Sequence, residues 1–136
     1  MNRTILSKHI DKKLIDDLKN NTEALDSFLQ NQNDGMIIYM LEKMGRLENG
    51  FSRKPLLNLL NNSNENIRSL AIKNLAKIGD FSLLSIFIEP ACSDESTEVR
   101  RESVSAIGRL RNEKAIPVLI GLLKDSDPKV VMQAIN

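Results

Sequence analysis

The sequence predicts an all-α chain: a stack of antiparallel helix pairs, an α-solenoid. Three observations lead there. Apolar residues recur with the period of a single helix face. The whole pattern repeats at an interval of about 32 residues. The connections between helices are only a few residues long, which forces consecutive helices to lie antiparallel. The repeat interval weighs most, because it rests on register across several copies rather than on one motif.

The clearest unit is DESTEVRRESVSAIGRLRNEKAIPVLIGLLKD, residues 94–125. In its first half Val99, Ser103, Val104, Ile107 and Leu110 share one helix face. Ser96 and Thr97 are good N-caps, Glu98 suits a first turn, and Asn112 is a natural stop. In the second half Ile116, Leu119, Ile120 and Leu123 form the expected core side of a helix. It starts near Glu113 or Lys114 and ends near Lys124. Pro117 fits only in a first turn, where its missing N–H costs nothing.

The copies follow from alignment. Ile67, Arg68, Ala71, Ile72, Leu75 and Ile78 lie 32 residues before Val99, Arg100, Ser103, Val104, Ile107 and Leu110. Val130 lies 31 residues after Val99, with Ala134 and Ile135 in the next core slots. Leu41 to Gly45 matches Leu75 to Gly79, so residues 36–47 form the first helix of a degenerate unit and residues 55–60 its second. Leu84, Phe87 and Ile88 are the expected core slots of the helix that follows Gly79. Residues 1–35 are helical but out of step. Ile10, Leu14, Ile15 and Leu18 mark one helix there. A second has Asn20 or Asn21 as its cap and Leu25, Phe28 and Leu29 as its apolar side. The resulting division is an N-terminal helical cap over 1–35 and about three repeats over 36–136, the last truncated, in one continuous domain.

At these residues the chain resembles a known family. Asp125-Ser126-Asp127-Pro128-Lys129-Val130, the pairs Val99-Arg100 and Ile67-Arg68, and the run Ala115 to Leu123 are similar to HEAT repeats. The short form resembles that of phycobilisome-lyase-like HEAT proteins. The resemblance covers residues 36–136 and implies a right-handed α-α superhelix whose second helices line a concave side. It implies a scaffold more than an activity, and a phycobilin-lyase-type enzyme would rest on the resemblance alone. One departure is Val131, which stands where the two earlier copies have Arg68 and Arg100.

Composition narrows the function classes. Hydrophobic residues at 41% and charged residues at 27% are ordinary for a globular chain and argue against disorder. Nineteen basic and eighteen acidic residues leave a net charge of +1, so no bulk field draws nucleic acid or an acidic membrane. A single cysteine, Cys92, excludes an internal disulfide and fits a reducing, cytoplasmic setting. The charged N-terminus lacks the apolar core of a signal peptide. The longest apolar run, residues 115–123, is too short to span a bilayer. His9 is the only histidine and falls far from Cys92, so no metal, cofactor or catalytic cluster can be drawn. His9 is expected on a helix surface and Cys92 half-buried near a helix end. Some HEAT-like proteins hydroxylate through repeated His-Glu pairs, and others resemble DNA glycosylases. This chain has neither His-Glu pairs nor a Trp to stack on a base.

The expected function is a non-catalytic scaffold for protein–protein interaction, the N-terminal part of a longer solenoid. Arg68 and Arg100 face the core side of their helices and so need partners: Asn62 or Asp94 for Arg68, Asp94 and Asp125 for Arg100. The candidate partner-binding residues are those facing away from the core on the second helices: Pro55, Asn58, Ile86, Glu89, Lys114 and Val118. Among them Pro55, Ile86 and Val118 make an apolar column, which a protein or peptide segment would cover or neighbouring helices would use. The competing function is a nucleic-acid-associating module of a larger DNA- or RNA-modifying protein, using a basic face of Lys77, Arg101 and Arg109. At the C-terminal end, Val130, Met132, Ala134 and Ile135 have little to bury against, so self-association through that end is expected.

Overall fold

The computed structural model describes residues 12–48 and 50–136. Among these residues the regular structure is all helical. In chain order the helices are α1 Lys12–Lys19, α2 Thr22–Asn31, α3 Asp34–Lys43, α4 Lys54–Leu57, α5 Glu65–Ile78, α6 Leu84–Ser93, α7 Thr97–Arg109, α8 Ile116–Leu122 and α9 Pro128–Ile135. None of them is long and apolar enough to cross a membrane. His9 and Ile10 lie outside the described residues.

Local chemistry sets most boundaries. Asn21, Asn33, Asn64, Ser96 and Asp127 each accept a backbone N–H in the first turn of α2, α3, α5, α7 and α9. Helix α5 ends on Gly79 in the left-handed conformation, with φ 71°, as C-caps commonly do. Thirty-two residues later Arg111 occupies the same conformation, with φ 53° and a Cβ to accommodate. Asp80 and Asn112 then cap short 3₁₀ turns, Phe81–Leu83 and Glu113–Ala115, that lead into α6 and α8. Pro117 falls in the first turn of α8, as its chemistry requires.

The helices stack in two layers. In the first, α5 lies between α3 and α7, and α7 lies between α5 and α9. In the second, α4 contacts α2, and α8 contacts α6. Helices α4 and α5, and α6 and α7, join the layers, while α1 packs on α2. One continuous core runs from Ile15 to Val130. This is an all-α helical-repeat solenoid.

Polar ties cross from unit to unit. The Arg68 guanidinium donates to both Asp94 oxygens at 3.0 Å and to the carbonyls of Asn62 and Ser63 at 2.9 and 3.2 Å. One unit later Arg100 donates to Asp125 at 3.0 and 3.5 Å and to the carbonyls of Asp94 and Glu95 at 2.9 and 3.3 Å. Each aspartate also accepts a backbone N–H two residues on, from Ser96 and Asp127 respectively. So each arginine staples its own preceding turn to the next one. Asn74 adds a bond to the Leu41 carbonyl at 3.0 Å.

The packing corrects four expectations. Ile116, Ile120 and Leu123 are not core residues; they are 55%, 59% and 44% exposed, while Ala115 and Leu122 are buried. In α6 the buried residues are Leu83, Phe87 and Ala91, with Leu84 and Ile88 half-buried. The buried positions, Leu83, Phe87 and Ala91 and then Ala115 and Leu122, still follow the spacing of one helix face, but a face that begins a residue earlier than expected. Helix α8 stands against α6, whereas no described helix stands beyond α8 to cover Ile116 and Ile120. Val130 is fully buried, because α9 packs on α7. Cys92 is exposed rather than half-buried.

Candidate functional site

The second layer carries an open groove between the α4 segment and α6, about 420 Å³ in volume. Its apolar lining comes from Leu57, Leu60, Ile86 and Pro90, and its polar rim from Asn61, Ser85, Glu89 and Ser93. Pro90 has no N–H to give to the Ile86 carbonyl four residues earlier, so the groove sits where α6 lacks one of its own bonds.

Of the six sequence-predicted partner-binding residues, the groove gathers Ile86 and Glu89. Pro55 is buried in the first turn of α4, so it is removed from the apolar column. Asn58 is exposed and is held by Asp26 of α2 at 3.0 Å. Val118 is half-buried and Lys114 exposed, both a unit away from the groove. Leu57 and Leu60 were not foreseen. Helix α4 ends at Leu57, and the turns after it rotate Leu60 out of the helical phase that the sequence suggested.

The basic residues are divided. Arg101 is neutralised by an ion pair with Glu98 on the same helix. Lys77 donates to the Gly45 carbonyl at 3.1 Å and to Asn74 Oδ1 at 3.0 Å. Burial pushes its ammonium below the ordinary value, and the charges of Lys73, Lys19 and Arg109 push it the same way. Arg109 is exposed at the end of α7. Lys19 and Arg46, which the sequence did not single out, meet Lys77 at the loop after α3. The signal was a cation recurring in the last turn of alternate helices: Lys19, Lys43, Lys77 and Arg109 of α1, α3, α5 and α7.

A third open surface lies at the end of the stack. A cleft of about 780 Å³ opens between α7, α8 and α9, lined in part by Ile107, Ile116, Leu119 and Ile135. Of its lining, Ile116 and Ile135 are exposed, and Ile120, Leu123 and Met132 are further exposed apolar residues of α8, the turn after it and α9, all between 44% and 64%.

Residues 84–136 match the family described as HEAT repeats. No curated protein matches the chain. The two-layer stack, the repeated arginine–aspartate staples and this match agree: the chain resembles HEAT-repeat proteins.

Proposed function

We propose that the protein is a non-catalytic scaffold whose second-layer groove holds a segment of a partner protein. The groove of Leu57, Leu60, Ile86 and Pro90 carries the reading. It offers an apolar floor that the fold leaves open, beside a polar rim that can fix a peptide's direction. A photo-crosslinking residue at Ser85, on the exposed rim, should capture a defined protein segment. A synthetic peptide of that segment should bind in solution and lose at least tenfold in affinity to Leu60→Asp or Ile86→Asp. Capture no stronger than from a residue placed at Glu23, or binding indifferent to both substitutions, would remove the groove from the function.

The exposed cluster at the end of the stack favours a second contact, self-association. Ile116 and Ile135 line one open cleft, and exposed Ile120 and Met132 on the same two helices add apolar surface of the kind that marks an interface. Sedimentation velocity of the wild type should show a concentration-dependent dimer, absent in Met132→Glu/Ile135→Glu. A wild type that stays monomeric at millimolar concentration refutes it. Val130 is unsuitable for this test, since its burial means that a glutamate there would unseat α9.

A further inference from the structure

We propose that the edge formed by the C-terminal ends of α1, α3, α5 and α7 binds the phosphodiester backbone of a nucleic acid, through Lys19, Arg46, Lys77 and Arg109. This surface is separate from the groove, and neither reading depends on the other.

Lys19 closes α1, Arg46 follows α3, Lys77 lies in the last turn of α5, and Arg109 closes α7. Cations commonly complement the carbonyl end of their own helix. Here two of them do something else. Lys19 Nζ donates to the Arg46 carbonyl at 2.6 Å, and Lys77 Nζ donates to the Gly45 carbonyl at 3.1 Å. Two ammonium groups from different helices therefore converge on consecutive carbonyls of one loop, and Arg46 projects from that same loop. None of the four cations is ion-paired among the described residues. The staple arginines differ: Arg53, Arg68 and Arg100 each have an aspartate.

The gathered charges repel one another, which is why Lys19, Lys73 and Arg109 all add to the effect of burial on Lys77. Glu102 lies in the field of Lys73, Arg101 and Arg109 and tempers the edge without pairing to it. A shallow cavity of about 490 Å³ beside the loop adds Lys12 and Lys43 to Lys19 and Arg46, against Asp16. An anion bound along the edge would relieve this repulsion.

Spacing selects the kind of anion. Lys19 and Lys77 reach adjacent carbonyls of one loop and so lie within roughly 10 Å of each other, and Arg109 lies one helix spacing, about 9 Å, beyond Lys77, which spreads the cations over roughly 20 Å. That is more than half of one turn of duplex, about 34 Å. A single phosphate cannot meet all four cations, whereas a chain of phosphates can. Lysine ammonium groups act on phosphate as point charges. The cavity beside the loop also has Ile15, Tyr39 and Met44 in its lining, so an acidic protein is the competing occupant.

The test is fluorescence anisotropy of a labelled 20-base-pair DNA duplex, titrated with the full chain at 25–200 mM KCl. Binding should be non-specific, with Kd between roughly 10⁻⁴ and 10⁻⁶ M, and the log–log salt slope should be near about −3.6 for four phosphates. Arg46→Glu/Arg109→Glu should weaken binding more than tenfold at 25 mM salt and cut the slope to about −1.8. Both arginines are exposed, and neither side chain makes a hydrogen bond or ion pair among the described residues, so this variant should fold as the wild type does. Lys54→Glu/Lys129→Glu changes the net charge equally away from the edge and should leave Kd within twofold. Ile86→Asp should leave it unchanged. The proposal is overturned if no binding is seen at 25 mM salt or if the off-edge pair weakens binding as much. It is also overturned if polyglutamate of matched charge binds as tightly, which would mark the edge as a site for acidic protein.

Discussion

Asp94→Ala removes one half of the staple between the α5 and α7 units, and its cost can be worked from the geometry. Arg68 is a buried residue, and the side chains of the pair are 10% and 12% exposed. The substitution deletes two charge-assisted hydrogen bonds of 3.0 Å and strands a guanidinium that keeps the Asn62 and Ser63 carbonyls. Breaking a buried pair from one side costs about 3–5 kcal/mol, and the two retained carbonyls place this case near 3. Loss of the bond from the Ser96 N–H to Asp94 Oδ1 adds about 1 kcal/mol. The sum is about 4 kcal/mol. With a urea m-value of about 2 kcal/mol/M, the unfolding midpoint should fall by about 2 M.

Circular dichroism at 222 nm during urea titration measures this. Asp125→Ala should cost less, because Arg100 is more exposed and its second bond to Asp125 is 3.5 Å. The double replacement Arg68→Met/Asp94→Leu should recover part of the loss, since it leaves no buried charge behind. The pH dependence has a definite sign. Burial pushes the Asp94 carboxyl up, but the Arg68 and Ser96 hydrogen bonds and the Arg68 and Arg100 charges hold it below its ordinary value. A depressed folded value means that the stabilisation is complete above the unfolded value, near pH 4. It is lost as pH falls through the folded value. An Asp94→Ala midpoint within about 0.3 M of the wild type would refute the staple as a source of stability.

Other substitutions test separate features. Leu75→Ala and Ile107→Ala, at sites with no exposure, should each cost about 2–5 kcal/mol in urea unfolding. Arg111→Gly should raise stability by about 1 kcal/mol, seen as a rise in Tm, because Arg111 holds the left-handed conformation that Gly79 and Gly45 adopt freely. The Asp80 carboxyl is lowered to about 2, chiefly by the hydrogen bond from Arg53. The stability gap between wild type and Asp80→Asn should therefore be full above pH 4 and close between about pH 4 and pH 2.

The features legible in sequence are those that depend on residues close in the chain or on its period. One helix face follows from spacing, so the core slots Val99, Val104 and Ile107 could be read directly. Caps are local chemistry, and Asn21 and Ser96 cap their helices as the sequence suggests. The arginine partners were also legible. A charge on a core-facing slot must be matched, and the 32-residue period brings few acids near it: Asp94 for Arg68 and Asp125 for Arg100.

Tertiary structure decided what lies between units. Ala115 rather than Ile116 turns into the core, one residue out of phase with the spacing read from the sequence, because packing against α6 decides which of two neighbouring apolar faces is buried. Val130 is buried because α9 lies on α7, a contact between segments about thirty residues apart. Pro55 is buried and Leu60 opens to the groove because α4 is only four residues long and the turns after it set a new direction. The convergence of Lys19 and Lys77 on the loop after α3 joins residues 58 positions apart. Side-chain period describes one helix at a time. Which cations share an edge, and which apolar faces stay open, depends on how the connecting turns aim each helix at its neighbours.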